Sequence, residues 1–294
     1  IWTRMLNRPD VTCYPYPDDI MPLMNEKTYG IRLGELDVWT SGSGMGKTTV
    51  IKQLQLHFQK TTDLNQALLH LEEPLEDTAD HMIGMAMEKR ISLPDVEVDE
   101  NEKRKVFESL FLSKDKEGAL RMQLYDSFGS EEEDELVNVI RYYANGLDCK
   151  VFWLDHLSIL VSDMGIEGDE RRKIDSIMHT LKSLTQELGI YIGLIVHLRK
   201  PSGNGKSFEE GGVPSLDDLR GSGGIKQLSN GVYAVSRDQQ DTNPVAADTS
   251  LLTVLKCRFT GRTGNADYVL FDQQKGILKK GFKPDGDDDF IEEF

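Results

Sequence analysis

The chain has 294 residues, 38% of them hydrophobic, and a formal net charge of −16. That length accommodates one large α/β domain or two ordinary ones, and the apolar content supports a packed core. Apolar runs such as residues 190–198 (IYIGLIVHL) fall far short of the roughly 20 residues that span a bilayer, and no secretory start is visible, so no membrane partner and a cytoplasmic location are expected.

Cys13, Cys149 and Cys257 form neither a paired framework nor a CxxC cluster, so reduced thiols and no zinc site are expected. An acidic body repels phosphate in its mean field. The acidic residues, however, concentrate at 97–102, 130–135 and 285–294, while Lys and Arg gather between 199 and 262. A local basic surface therefore remains available for nucleic acid.

Taken along the chain, residues 1–30, with Pro9, Pro15, Pro17 and Pro22, read as a linker or subunit-docking arm. A start at Ile1 leaves room for an upstream domain. Residues 35–40 read as a strand and 47–59 as a helix, with Val50, Ile51, Leu54 and Phe58 at helical spacing. A strand over 67–73, an amphipathic helix over 75–90 and a charged helical insertion to about 118 follow. Further strands are predicted at 121–127, 150–158 and 190–198, separated by helices at 131–145 and 169–188. Buried apolar runs alternating with helices imply an α/β fold with a mostly parallel sheet flanked by helices. From 231 the pattern becomes strand-rich: 231–238, 250–259 and 266–278 read as an antiparallel meander closing one edge. One domain is thus expected over 31–282, followed by an acidic, disordered tail over 283–294.

Between the first strand and helix stands SGSGMGKTT, residues 41–49. A phosphate-binding loop needs this strand-to-helix placement, glycines for permissive backbone and a Lys-Thr pair. Ser43, Gly44, Met45, Gly46, Lys47, Thr48 and Thr49 would cradle a nucleoside triphosphate, with Lys47 on the β and γ phosphates and Thr48 on Mg²⁺. Asp155 follows four apolar residues at a strand end, where a second metal-holding carboxylate belongs. Glu72 and Glu73 end another strand; a water-orienting base is expected there, Glu72 favoured. His197 ends a third and could sense the γ-phosphate. The loop beyond it carries Arg199, Lys200 and Lys206, suited to the phosphates of a single strand. Glycines around Ser222 would let backbone approach a polymer, and Lys256 and Arg258 share one strand face by alternation. Cations so placed suit an arginine finger given to a neighbouring subunit's nucleotide.

Together SGSGMGKTT, LEEPLEDTADHMIG, LYDSF, LDHLSILVS, DERRKIDSIMHTLK, HLRKP, DLRGSGGIKQLS and LKCRFTGRTG resemble the helicase domain of the primase-helicases of T-odd bacteriophages, within the DnaB-like hexameric replicative helicases. The resemblance covers about 34–277 and implies a RecA-like core. It further implies Glu72 as catalytic base, Asp155 as the Walker B aspartate, His197 as γ-phosphate sensor with Gln227 beside it, and Arg258 with Lys256 as the interfacial finger. Arg237 and Tyr268 would sandwich the base of ATP or dTTP. DNA would be held by Arg199, Lys200, Lys206 and the backbone around Arg220, Gly221, Ser222, Gly223 and Gly224. The implied assembly is a ring, often of six, on single-stranded and forked DNA in the bacterial host cell. The tail would dock on the replicative DNA polymerase, and a primase domain would lie outside this chain. A RecA-type recombinase and a non-enzymatic nucleotide-binding module are the rival readings.

Overall fold

Every residue of the first strand, β1 (Leu36–Ser41), is buried. A strand with both faces covered reads as a continuous apolar run only when helices pack on each side. The computed structural model describes residues 2, 10–71, 73–126, 133–155, 167–199, 206–219 and 222–284. Eight further strands join β1: β2 (Asn65–His70), β3 (Met122–Leu124), β4 (Cys149–Asp155), β5 (Tyr191–His197), β6 (Gly231–Arg237), β7 (Thr249–Cys257), β8 (Gly264–Asp272) and β9 (Ile277–Lys280). They form one nine-stranded sheet in the order β3-β2-β4-β5-β1-β6-β7-β8-β9. From β3 to β6 all pairings are parallel, and β7 to β9 are antiparallel.

The helices are α1 (Pro22–Thr28), α2 (Lys47–Thr61), α3 (Leu75–Met87), α4 (Glu100–Phe111), α5 (Glu133–Gly146), α6 (Glu167–Leu188), α7 (Ser222–Leu228) and α8 (Pro244–Ala247). Period-two alternation splits the sheet's side chains between two cores. On one face Trp39 and Trp153 pack with Val50, Leu54 and Phe58 of α2, Met82 of α3 and Leu110 of α4. On the other, Leu36 and Val38 meet Leu136 and Ile140 of α5, Ile177 and Leu181 of α6 and Ile225 of α7.

The structure departs from the sequence reading at four places. Within residues 1–30, expected as a linker or docking arm, the part from Tyr14 onward belongs to the body: Tyr14 and Ile31 form an antiparallel bridge, and Tyr16, Met21 and Met24 are buried in the core. Met21 provides no side-chain cap for α1, so the open N–H groups of Leu23 and Met24 donate instead to the Asp267 carboxylate of β8, at 3.1 and 2.8 Å. β2 stops at His70, so Leu71 and Glu73 lie beyond the strand rather than in it. β6, expected in the meander, is the last parallel strand; it pairs with β1 on one side and antiparallel β7 on the other. Finally, 266–278 is a hairpin. Asp272 accepts from the N–H groups of Gln274 and Lys275, and Gly276 takes φ +70, turning β8 into β9.

Candidate functional site

The carboxyl ends of the parallel strands line up along one edge. Ser41, last in β1, is level with His197 of β5 and Val235 of β6, and His70, last in β2, is level with Asp155 of β4. An open α/β sheet binds its ligand in the crevice outside these ends. The segment from Ser41 to α2 is shaped for an anion: Gly44 and Gly46 adopt φ +72 and +87, and a Cβ at Gly46 would meet nothing within 4 Å. Glycine at 46 is thus a demand of the backbone, with open space in front of it. Gly46 caps α2 without a side chain, leaving the first N–H groups of a 15-residue helix directed at that space. Ser43 and Gly44 are exposed, Met45 is buried beneath them, and Lys47 is buried while Thr48 and Thr49 are partly exposed.

Two neighbours hold the loop. Gln239 Nε2 donates to the Gly44 carbonyl at 2.6 Å. Phe208 lies so close to Gly42 that a Cβ there would come within 2.9 Å of it. A cavity of about 490 Å³ is lined by Ser41, Gly42, Ser43, His197, Arg199 and Phe208, among others. It therefore joins the glycine loop, the end of β5 and the basic loop after it. Arg199 and Lys206 are exposed on that loop; Lys200 lies outside the described residues.

Asp155 is buried at the end of β4, its carbonyl accepting from the Leu71 N–H at 2.7 Å. Glu72 lies outside the described residues; its neighbour Glu73 lies within them. Lys52 Nζ of α2 meets Glu73 Oε2 at 2.6 Å and His81 Nδ1 at 2.8 Å. His81 Nδ1 is also 2.8 Å from Glu73 Oε1, and Thr78 Oγ1 donates to Oε2 at 2.9 Å. Burial pushes the Glu73 carboxyl up, yet hydrogen bonds from His81 and Lys52, the Lys52 charge and Thr78 outweigh it and hold it at about 2. A carboxylate so committed makes a poor proton acceptor at neutral pH. His70, buried against Gln55 and Thr78, is pulled down to about 4 by burial and then by the Lys52 charge.

Arg258 and Lys256 lie at the far end of the sheet. Cys257 pairs with Gly231, which pairs with Asp37 near the start of β1, whereas the glycine loop leaves from Ser41. Four residues of strand separate the two levels, about 13 Å of rise. Both side chains turn to the carboxyl end of α7. Lys256 Nζ donates to the carbonyls of Ser229, at 2.7 Å, and Lys226, and Arg258 donates to that of Gln227. Burial, then the nearby Arg258 charge, lowers Lys256 to about 8. The Gln227 carbonyl is thus engaged by Arg258 within the subunit. At the other end of α7, the Gly224 N–H donates to Asp175 Oδ1 at 2.8 Å, and Gly223 lies against Arg171. Arg220 and Gly221 lie outside the described residues, as does the side chain of Ser222.

Arg237 and Tyr268 line one cavity of about 250 Å³, together with Lys206, Asp241 and Leu251 but no residue of the glycine loop. Thr48 and Thr49 instead border a cavity of about 230 Å³ closed by Arg90 and Phe271. The Arg90 guanidinium sits 5.7 Å over the Phe271 ring. Tyr268 and Phe271, three apart on β8, face opposite sides of the strand. The sequence reading singled out neither Arg90 nor Phe271, nor Lys52, Phe208 or Gln239. Strand alternation from Tyr268 was the one available signal for Phe271.

Fold and site together define an α/β domain of the phosphate-loop class, with a mostly parallel sheet and the loop at its carboxyl edge. Residues 20–277 match the family model described as DnaB-like helicase C terminal domain, and the chain belongs to that family. It is 38% identical over 260 residues to a DNA helicase/primase of Enterobacteria phage T3, covering 87% of this chain and 44% of that protein. It is 31% identical over 93 residues to the replicative DNA helicase DnaB of Treponema pallidum, covering 32% of this chain and 19% of that one. The chain thus spans less than half the length of these relatives. Among solved structures, one described as an ATPase domain superposes with a TM-score of 0.73 at 16% identity, covering 96% of each chain. A DnaB-like replicative helicase, solved in a study of its interactions with primase, gives 0.70 at 15% identity, over 95% of this chain and 66% of that one. The fold is the RecA-like one of helicase ATPase domains. Among the described residues no helix is long and apolar enough to cross a membrane.

Proposed function

We propose that this chain is the motor domain of an NTP-driven replicative DNA helicase that assembles as a ring on single-stranded DNA and separates duplex at a fork. The observation that carries the reading is the shared cavity, in which the glycine loop, His197 and Arg199 line one space. A change at the γ-phosphate would then reach the basic loop through groups that line the same space. Lys47 binds the phosphates of ATP or dTTP, and Glu72 orients the attacking water; the commitment of Glu73 to Lys52 supports choosing Glu72. Thr48, partly exposed in the first turn of α2, and the buried Asp155 suit a hard cation that demands oxygen ligands. Mg²⁺ held there would neutralise charge on the transferring phosphoryl group.

The strand register supports a finger acting between subunits. Arg258 lies at the opposite end of the strands from its own glycine loop, so a nucleotide within its reach belongs to a neighbour. Phe271 and Arg90, bordering the cavity beside Thr48, offer a ring and a guanidinium for the base, alongside or in place of Tyr268 with Arg237. Arg199, Lys200, Lys206 and the Arg220 to Gly224 backbone hold DNA in a central channel, where focused local potential outweighs the mean charge. A primase domain and a polymerase-docking role for residues 283–294 complete the reading, in the host cytoplasm.

The test is an unwinding assay on forked DNA with each NTP in turn, wild type beside Arg258→Ala. Strand displacement by wild type, with DNA-stimulated hydrolysis lost and nucleotide binding kept in the variant, is the expected result. Hydrolysis without displacement would favour a recombinase, and unchanged turnover in Arg258→Ala would remove the finger.

A further inference from the structure

Lys52 is an anomaly within α2. The helix packs an apolar stripe on the sheet, yet this lysine is 1% exposed, one of the largest fully buried side chains in the described residues. Burying an ammonium is costly, and a buried ion pair is seldom more stable than apolar residues of the same volume. What such a pair supplies instead is geometry. Lys52 comes from the helix that opens with Lys47, and Glu73 from the connection that leaves β2; Thr78 and His81, from the first two turns of α3, complete the cluster. Asp77 of α3 and Asp155 of β4 add their field to Lys52, His70 of β2 faces Thr78, and Asp80 of α3 is paired with Lys103 of α4.

The cluster bears on the connection between β2 and α3. On its amino side, Leu71 is buried and its N–H is tied to the Asp155 carbonyl. On its carboxyl side, both Glu73 oxygens are engaged by groups from α2 and α3. The connection is therefore fastened to β4 just before residue 72 and to the phosphate-loop helix just after it. We infer that Lys52 and Glu73 are positioning residues, which fix the β2–α3 connection relative to the phosphate loop and so set where the residue at 72 can act. The inference rests on the reading of Glu72 as the base. On this reading Glu73 serves as an anchor, and the role of base falls to Glu72.

Misplacing a catalytic group by about 1 Å costs on the order of a hundredfold in rate, while phosphate binding by the glycine loop does not depend on it. The experiment is steady-state NTP hydrolysis on single-stranded DNA, with nucleotide affinity and urea unfolding, for Lys52→Met, Glu73→Gln and the double variant Lys52→Met/Glu73→Leu. The double variant replaces the pair by apolar groups, so it is expected to fold even where a single variant does not. The expected result is a fall in kcat of about 10- to 100-fold, with KM and nucleotide Kd within about threefold of wild type. A double variant of wild-type stability that keeps wild-type kcat would overturn the proposal, as would parallel losses in kcat and nucleotide affinity. Glu72→Gln, measured alongside, separates the two ideas. Turnover surviving in that variant removes Glu72 as the base, whereas turnover surviving only in the Lys52/Glu73 variants removes the positioning role alone.

Discussion

Two carboxylates, one half-buried and one fully buried, occupy the two ends of the same sheet, and their surroundings drive them in opposite directions. Glu73, beyond the carboxyl end of β2, is held at about 2 once its hydrogen-bond partners and the Lys52 charge overcome burial. Asp37, near the amino end of β1, is fully buried; burial and then the Glu35 charge push it up to about 7, against Arg32. The difference is one of available cations. Arg32 is committed to Glu35 at 2.8 Å and to the Thr28 and Gly30 carbonyls, leaving Asp37 the Gly231 N–H and a Tyr233 hydroxyl at 3.3 Å. Burial alone therefore predicts neither charge state; the partner does. At the carboxyl end of the sheet Glu73 keeps its charge, while at the amino end Asp37 tends to shed it.

The contrast can be attacked from the largest effect downward. Lys52→Met leaves Glu73 without its cation and should cost about 3 to 5 kcal/mol in urea unfolding, most of it recovered in the double variant with Glu73→Leu. Recovery failing in the double variant would mean that the cluster is packing and not charge. Asp37→Asn should act the other way. The folded pKa of Asp37, about 7, lies above its ordinary 3.8, so its contribution is complete below pH 3.8 and is lost as pH rises through 7. The asparagine variant should lack that fall and be more stable at pH 8 by about 2 to 4 kcal/mol. Thermal melts from pH 4 to 8 that run parallel for the two proteins would refute the raised pKa of Asp37.

Glu73 has the reverse sign. Its folded pKa of about 2 lies below its ordinary 4.5, so its contribution is present above pH 4.5 and lost as pH falls towards 2. Glu73→Gln should flatten the acid limb of the stability profile in that window. The smallest effect is expected from Arg141→Ala. Arg141 and Glu187 form a two-pronged pair at 2.5 and 2.8 Å, but both are exposed, and its removal should leave the urea midpoint unchanged within error.

Sequence alone exposes features whose physics is local. The glycine loop is legible because the positive φ angles at Gly44 and Gly46 admit few other residues, and the alternation of apolar runs with helices suffices for a parallel sheet. Lys52 is illegible for the converse reason. A lysine within an amphipathic helix reads as solvated surface, and its burial depends on Glu73, 21 residues away. Motif spacing points to Tyr268 and not Phe271 because it says nothing of which strand face lines the cavity beside Thr48. Likewise, the proline spacing of the first thirty residues suggests an arm, while Tyr16, Met21 and Met24 find their core only once β8 is folded beside them.

The tethering of α7 sets up a competition. Arg258 is one guanidinium with two claimants: the Gln227 carbonyl that it binds within its own subunit and, on the proposed reading, the phosphates of a neighbour. Leaving the first for the second exposes a helix-end carbonyl in the same helix whose opposite end begins in the glycine segment assigned to DNA. Linkage is reciprocal, so whatever free energy nucleotide in one subunit contributes to loosening this helix, DNA that favours the loosened helix returns as tighter nucleotide binding next door. Traffic between subunits would then be written into a single hydrogen bond, and its sign could be read from either ligand.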